Sequence, residues 1–192
     1  MPTFTLSKSQ VGLLIVDIQE KVFAPVDHSA EFLAAAIKLI KGFQIFQTPI
    51  LISEQYPQGL GETIWPIKNL LGSAYQPWVK TAFSCLDDSA FARHLLALPV
   101  QQWIVIGLEA HICILQTAKS LLQKGKDVVV LNDAISSQSI FDFSTAIAEM
   151  RDEGIRISSV ETVLFELMKD ARAPEFKAIS QLIKSSCQVT SC

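Results

Sequence analysis

The chain has 192 residues, with sixteen Lys and Arg against nineteen Asp and Glu, for a net charge of −3. That length suits one domain able to bury about 70% of its unfolded surface without a disulfide or metal staple. The acidic balance excludes a basic nucleic-acid footprint as the organising feature. Hydrophobic residues make up 49% and the mean hydropathy is +0.34, which excludes disorder.

The N-terminal MPTFTLSKSQ has no basic stretch followed by an apolar one, so no secretory signal is expected. No apolar run reaches the ~18 residues of a membrane span. VGLLIVD (11–17) reads as the first strand. Residues 29–47 follow as a helix, with Phe32, Leu33, Ala36, Ile37, Ile40 and Phe43 at helical spacing. PILIS (49–53) reads as the second strand, and 54–66 and 72–78 as loops. Asp87, Asp88 and Ser89 are good N-cap residues for a helix over 87–97. WIVIGL (103–108) and DVVVLND (127–133) read as strands, with helices at 111–124 and 139–153. A weaker strand at 157–163 ends in VETV, a last helix lies near 175–185, and SSCQVTSC forms a loosely ordered tail.

Near-continuous apolar strands separated by helices mean a parallel sheet covered on both faces. The fold class is therefore α/β, as a single domain over 1–192 with its core at about 8–183. Four cysteines are too sparse for a disulfide framework, so a reducing, cytoplasmic compartment is expected. The apolar content points to a homo-oligomer and no membrane partner.

In open α/β sheets, ligands bind at the carboxyl ends of the strands. Those ends deliver Asp17 and Gln19, then Ser53, Glu54 and Gln55, then Gly107 through Cys113, then Asn132 and Asp133. Trp78, Val79, Lys80 and Thr81 lie between the second strand and the one after Gln101. A carboxylate, an ammonium and a thiol can thus converge on one mouth. Singly, each has an ordinary structural reading: a small buried Cys, a capping Asp, a solvated Lys.

Together they are a candidate catalytic set. Cys113 starts a helix, whose N-terminal N–H groups favour a thiolate. An ammonium within about 4 Å at an effective dielectric near 20 contributes on the order of 4 kcal/mol, enough to lower the thiol by roughly three pKa units. Asp17 opposes that pull, and must be the base or be protonated, so the three groups titrate together. Cys85 reads as a core residue, and Cys187 and Cys192 as tail residues. His28, His94 and His111 show no ligand spacing, so no metal and no cofactor are expected. Gln19, Phe23, Gln55, Tyr56 and Trp78 are candidate substrate-binding residues for something small, partly planar and uncharged or weakly polar.

Across about residues 8–183 the chain resembles the isochorismatase-like cysteine hydrolases. LLIVDIQEKVF (13–23) is similar to the family's first strand, with the catalytic aspartate at Asp17. WVKTAFS (78–84) is similar to its lysine segment, with Lys80, and VIGLEAHICILQTA (105–118) to its nucleophile segment, with Cys113. VVVLNDAISS (128–137) matches the following strand and turn, and SEQYPQGLG (53–61) is similar to the isochorismatase domain-containing or YcaC-related subgroup.

The resemblance implies a three-layer α/β/α fold with a mostly parallel sheet of about six strands. It implies a hydrolase that cleaves a C–N bond of a small molecule through Cys113, with Lys80 orienting the thiolate and Asp17 moving protons. The backbone N–H groups of Glu109 and Cys113 would receive the oxyanion, beside a cis Leu108–Glu109 bond. Isochorismatases proper lack the cysteine. Nicotinamidases carry an Asp and two His for a metal where this chain has SEQYPQGLG. The competing readings are a non-catalytic oligomeric or redox-sensing thiol protein, and a nuclease, which the charge disfavours.

Overall fold

A computed structural model describes residues 4–26 and 28–187. Its centre is one sheet of six parallel strands in the order β3-β2-β1-β4-β5-β6. The strands are β1 (Val11–Val16), β2 (Ile50–Gln55), β3 (Trp78–Lys80), β4 (Gln102–Leu108), β5 (Asp127–Ser136) and β6 (Arg156–Ser158). The helices are α1 (Glu20–Phe23), α2 (Ser29–Phe46), α3 (Pro57–Leu60), α4 (Trp65–Leu71) and α5 (Ser89–Ala97), then α6 (Leu115–Gln123), α7 (Ile140–Asp152), α8 (Val160–Met168) and α9 (Phe176–Cys187).

Period-two alternation sends each central strand's side chains to two cores. Leu13 and Ile15 of β1 join α2, α4, α8 and α9 on one face. Leu14 and Val16 join α5, α6 and α7 on the other. Both faces being covered, β1 and β4 are buried along their whole length, which is why they read as continuous apolar runs. The result is the three-layer α/β/α sandwich.

The strand order places the site. The chain winds outward from β1 to β3, then crosses to β4 and winds the other way to β6. The crevice between β1 and β4, at their carboxyl ends, is the switch point where doubly wound sheets bind ligands. There β4 approaches β1 so closely that a Cβ on Gly107 would lie 1.9 Å from the Val16 carbonyl oxygen. With φ of +141°, Gly107 is a position only glycine fills without strain.

Several elements differ from the sequence reading. VETV opens α8 rather than closing a strand, and β6 stops at Ser158. Part of the expected loop over 54–66 is the short helix α3. Trp65 begins α4, with Pro66 in its first turn. The expected loose tail falls mostly on residues 188–192, outside the described residues, while Cys187 ends α9. No peptide bond among the described residues is cis, so Leu108–Glu109 is trans. The reversal after β4 is made instead by Gly107 and by Glu109 in the left-handed region, at φ 56°.

Candidate active site

Three strands end by turning left-handed at non-glycine residues. Asp17 follows β1 at φ 54°, Tyr56 follows β2 at φ 37°, and Glu109 follows β4. Such conformations cost roughly 1–3 kcal/mol each and persist where the surrounding structure enforces them. Asp tolerates this region better than most residues. At Asp17 the turn carries the carboxylate over the end of the sheet, where it is 2% exposed.

Lys80, the last residue of β3, is 1% exposed and reaches across β2 to the same point. Its Nζ donates to Asp17 Oδ2 at 2.7 Å and to Gln55 Oε1 at 2.8 Å. It also meets the Phe83 carbonyl at 3.1 Å, the Ala82 carbonyl at 3.3 Å and Cys113 Sγ at 3.9 Å. Three protons thus serve five acceptors. Burial pulls the ammonium's pKa down, but the Asp17 carboxylate, ahead of Cys85 and Cys113, pulls it up, and the net shift is upward.

Asp17 Oδ1 accepts from Ser53 Oγ at 2.8 Å, and Ser53 Oγ accepts in turn from Cys85 Sγ at 3.6 Å. Cys85 is wholly buried, and burial, reinforced by Asp17, pushes its thiol up to about 11. Gln19 clamps Gln55 by its main chain: Gln55 N donates to Gln19 Oε1 at 2.8 Å, and Gln19 Nε2 donates to Gln55 O at 3.0 Å. Gln55 Nε2 then donates to the Thr81 carbonyl, leaving Oε1 for Lys80.

Cys113 arrives from the other side of the switch point. Ala110–Ile114 form a π-helical turn running directly into α6; such turns recur at functional sites. The Cys113 side chain is buried. Burial raises its thiol pKa, the Asp17 charge and a hydrogen bond to Asp17 raise it further, and Lys80 only partly offsets them. The net direction is thus opposite to the lowering that Lys80 alone would give, and it favours the thiol form beside Asp17.

Above Cys113 opens a cavity of about 400 Å³. Asp17, Gln55 and Cys113 form its floor. Val22, Leu60, Phe83, Leu108 and Ile112 form apolar walls, and Glu109, His111, Gln138 and Asp142 its mouth.

The structure brings Asp17, Lys80 and Cys113 together, with Gln55 beside them. The other expected contacts lie elsewhere. Gln19 is fully buried behind Gln55. Phe23 packs on Phe32, its ring centroid 6.2 Å away, because each helical residue turns about 100° from the last and Val22 takes the inward position. Tyr56 is 53% exposed, turned outward by its left-handed backbone and laid over Gly59. Trp78 stands two residues below the end of β3, about 7 Å down the strand. It stacks on Phe91 at 5.2 Å and contacts His94. His111, Gln138 and Asp142 escaped sequence reasoning, since nothing in a helix start or a strand-to-helix turn tells which side chain faces a cavity. Among the described residues, no group of three His, Cys, Asp or Glu side chains is placed to hold a metal ion, and no helix is long and apolar enough to cross a membrane.

A doubly wound parallel sheet with a cavity at its switch point defines an α/β protein with a candidate ligand site there. The Isochorismatase domain family model matches residues 11–162, and the chain belongs to that isochorismatase-like hydrolase family. It is 34% identical to isochorismatase domain-containing protein 2 of Danio rerio, over 93% of this chain and 89% of that protein. The structure described as MAR1 ribonuclease from Caenorhabditis elegans superposes with a TM-score of 0.88 at 31% identity, covering 94% and 93% of the two chains. The YcaC gene product of Escherichia coli, described as an octameric hydrolase of unknown specificity, shares the fold with a TM-score of 0.85 at 20% identity, over 99% of this chain and 100% of its own.

Proposed function

We propose that the protein is a small-molecule C–N hydrolase whose nucleophile is Cys113, served by Asp17 and Lys80. The observation that carries this reading is Lys80 Nζ, 2.7 Å from Asp17 Oδ2 and 3.9 Å from Cys113 Sγ, beneath an open cavity lined by Asp17 and Cys113. A thiol, a carboxylate and a fixed cation suit acyl transfer. As Cys113 attacks the amide carbon, its proton passes to Asp17. The sulfur's developing charge is met by the ammonium already beside it. Asp17 hands the proton to the leaving nitrogen, and the amine departs. Asp17 then takes a proton from water attacking the thioester, the acid is released, and the thiol is restored. The backbone N–H of Cys113, within the π-turn, is the proposed oxyanion donor; with Leu108–Glu109 trans, the cis bond that was to turn the Glu109 N–H inward beside it is absent. No metal or other cofactor has a part in these steps.

The same proposal includes a single domain over 1–192, a cytoplasmic setting that keeps Cys85 and Cys113 reduced, and a homo-oligomer. The free state of both thiols and the octameric description of the Escherichia coli relative support the last two. A panel of small amides, read by ammonia release and by the intact mass of an acyl adduct, tests the reaction. Cys113→Ser should abolish the adduct and lower turnover by at least about 10³-fold. An adduct that survives in Cys113→Ser overturns the assignment.

A ribonuclease reading is favoured by the description of the Caenorhabditis elegans neighbour. Against it stand the net charge of −3 and a cavity that, among the described residues, no lysine or arginine lines, Lys80 being tied to Asp17 beside it. Cleavage of RNA that weakens steeply with salt would favour it. Unchanged RNA alongside amide turnover would remove it.

A further inference from the structure

The mouth of the cavity is charged differently from its floor. On the floor Asp17 and Lys80 are paired and cancel. At the mouth two carboxylates flank one imidazole. His111 Nδ1 lies 3.5 Å from Glu109 Oε2 and 3.0 Å from Ser137 Oγ, and His111 Nε2 lies 3.9 Å from Asp142 Oδ2. The mouth is therefore net negative whether or not the ring carries a proton. Among the described residues no other cationic side chain lines the cavity. The Glu109 side chain, 15% exposed, borders the cavity beside Gln138 and Asp142. Burial, ahead of the opposing pull of His111, raises the Glu109 carboxyl above its ordinary value, which a nearby cation would relieve.

We propose that Glu109 and Asp142 are specificity-determining residues that select cationic substrates and turn carboxylates away. Resting on the amide-hydrolase reading, this makes the substrate class a small amide with an apolar body and an ammonium group remote from the scissile carbonyl. The apolar body lies against Val22, Leu60 and Phe83, and the ammonium reaches the rim. One unit of excess charge at the mouth of a partly desolvated site separates oppositely charged ligands by about tenfold or more at low salt.

The selectivity is read first on Cys113 itself, without turnover. Size-matched methanethiosulfonates ending in an ammonium or a sulfonate are applied to the whole protein at alkaline pH, and labelling of the Cys113 peptide is followed by mass. Each rate is divided by that of the same reagent with a small free thiol. The expected cationic-to-anionic ratio is about 10 or more, shrinking with salt. Asp142→Asn, at a half-exposed position that tolerates the change, should bring the ratio toward 1, as should Glu109→Gln. A wild-type ratio near 1, or one that neither variant moves, overturns the proposal. A matched series of amides ending in ammonium, hydroxyl or carboxylate is then compared by kcat/KM. Turnover that ranks ammonium first supports both ideas, and turnover indifferent to charge overturns the selectivity. Charge-selective labelling with no amide hydrolysed keeps the selectivity and overturns the amide reading.

Discussion

Asp17 faces three groups at once: the Ser53 hydroxyl, the Lys80 ammonium and the Cys113 thiol. The thiol is where their balance can be measured. Burial is the largest influence holding its proton on, Asp17 is the next, and Lys80 pulls the other way. Asp17→Asn should therefore lower the Cys113 pKa, and iodoacetamide should label Cys113 faster than in the wild type at pH 7–8, while amide hydrolysis is lost with the proton carrier. Lys80→Met should do the reverse and slow labelling. It also leaves Asp17 buried without its cation, a loss that typically destabilises by about 3–5 kcal/mol. Peptide-mapped labelling rates across pH decide the matter. Equal curves for the three proteins would show that the groups do not act on one another.

At the scale of elements, α2 and α8 meet at a glycine. A Cβ on Gly42 would lie 2.3 Å from Leu164 Cδ2. In an open helix Gly→Ala is worth up to about 1 kcal/mol of stability. Here overpacking should reverse the sign, and Gly42→Ala should destabilise by about 1–3 kcal/mol. Leu164→Ala alone should cost about 2–5 kcal/mol. In urea unfolding the double variant should fall well short of the sum, because the new methyl fills part of the space that Leu164 leaves. Additive losses would mean that the helices do not touch there. The elements also differ in how plainly the sequence announces them. β1, β4 and β5 are long β-branched runs, buried on both faces, and their pattern is unmistakable. β3 and β6 are three residues each, too short to establish a period. VETV has β-branched composition, yet Asp133 accepts the Val160 N–H at the helix start and Val160, Val163, Leu164 and Leu167 fall at helical spacing. The convergence of Asp17, Lys80 and Cys113 is legible because each lies in a recognisable motif, Asp17 and Lys80 at strand ends and Cys113 in the turn after β4. Phe23 and Trp78 pack away from the cavity, because a residue's place near a strand end does not fix which way its side chain points.

Over the whole molecule, one ion pair ties distant parts together. Glu166 of α8 accepts from Leu6 N at 2.9 Å and from Arg156 Nη1, at the start of β6, at 2.9 Å. The Arg156 hydrogen bond holds the Glu166 carboxyl below its ordinary range, against the burial that raises it. A depressed carboxyl stabilises the fold above its unfolded value, near ~4.3, and that stability is lost as pH falls through the lower folded value. Glu166→Gln should thus cost about 1–2 kcal/mol at pH 7, with the gap to wild type closing as pH drops below the unfolded value. A gap that stays constant down to pH 3 would mean that the charge contributes nothing. The sheet's outline has a different consequence. Its two outermost strands, β3 and β6, are three residues long, while the four between them run from six to ten. A neighbour seeking main-chain partners finds almost no free ladder at either border, so templated growth into fibres is blunted at both ends. Copies of the chain are left to join mainly through side chains displayed on helices and turns, Trp65, Ile140 and Phe141 being among the most exposed large hydrophobics of the described residues. Self-association then depends on a handful of apolar positions, each replaceable without disturbing a single strand.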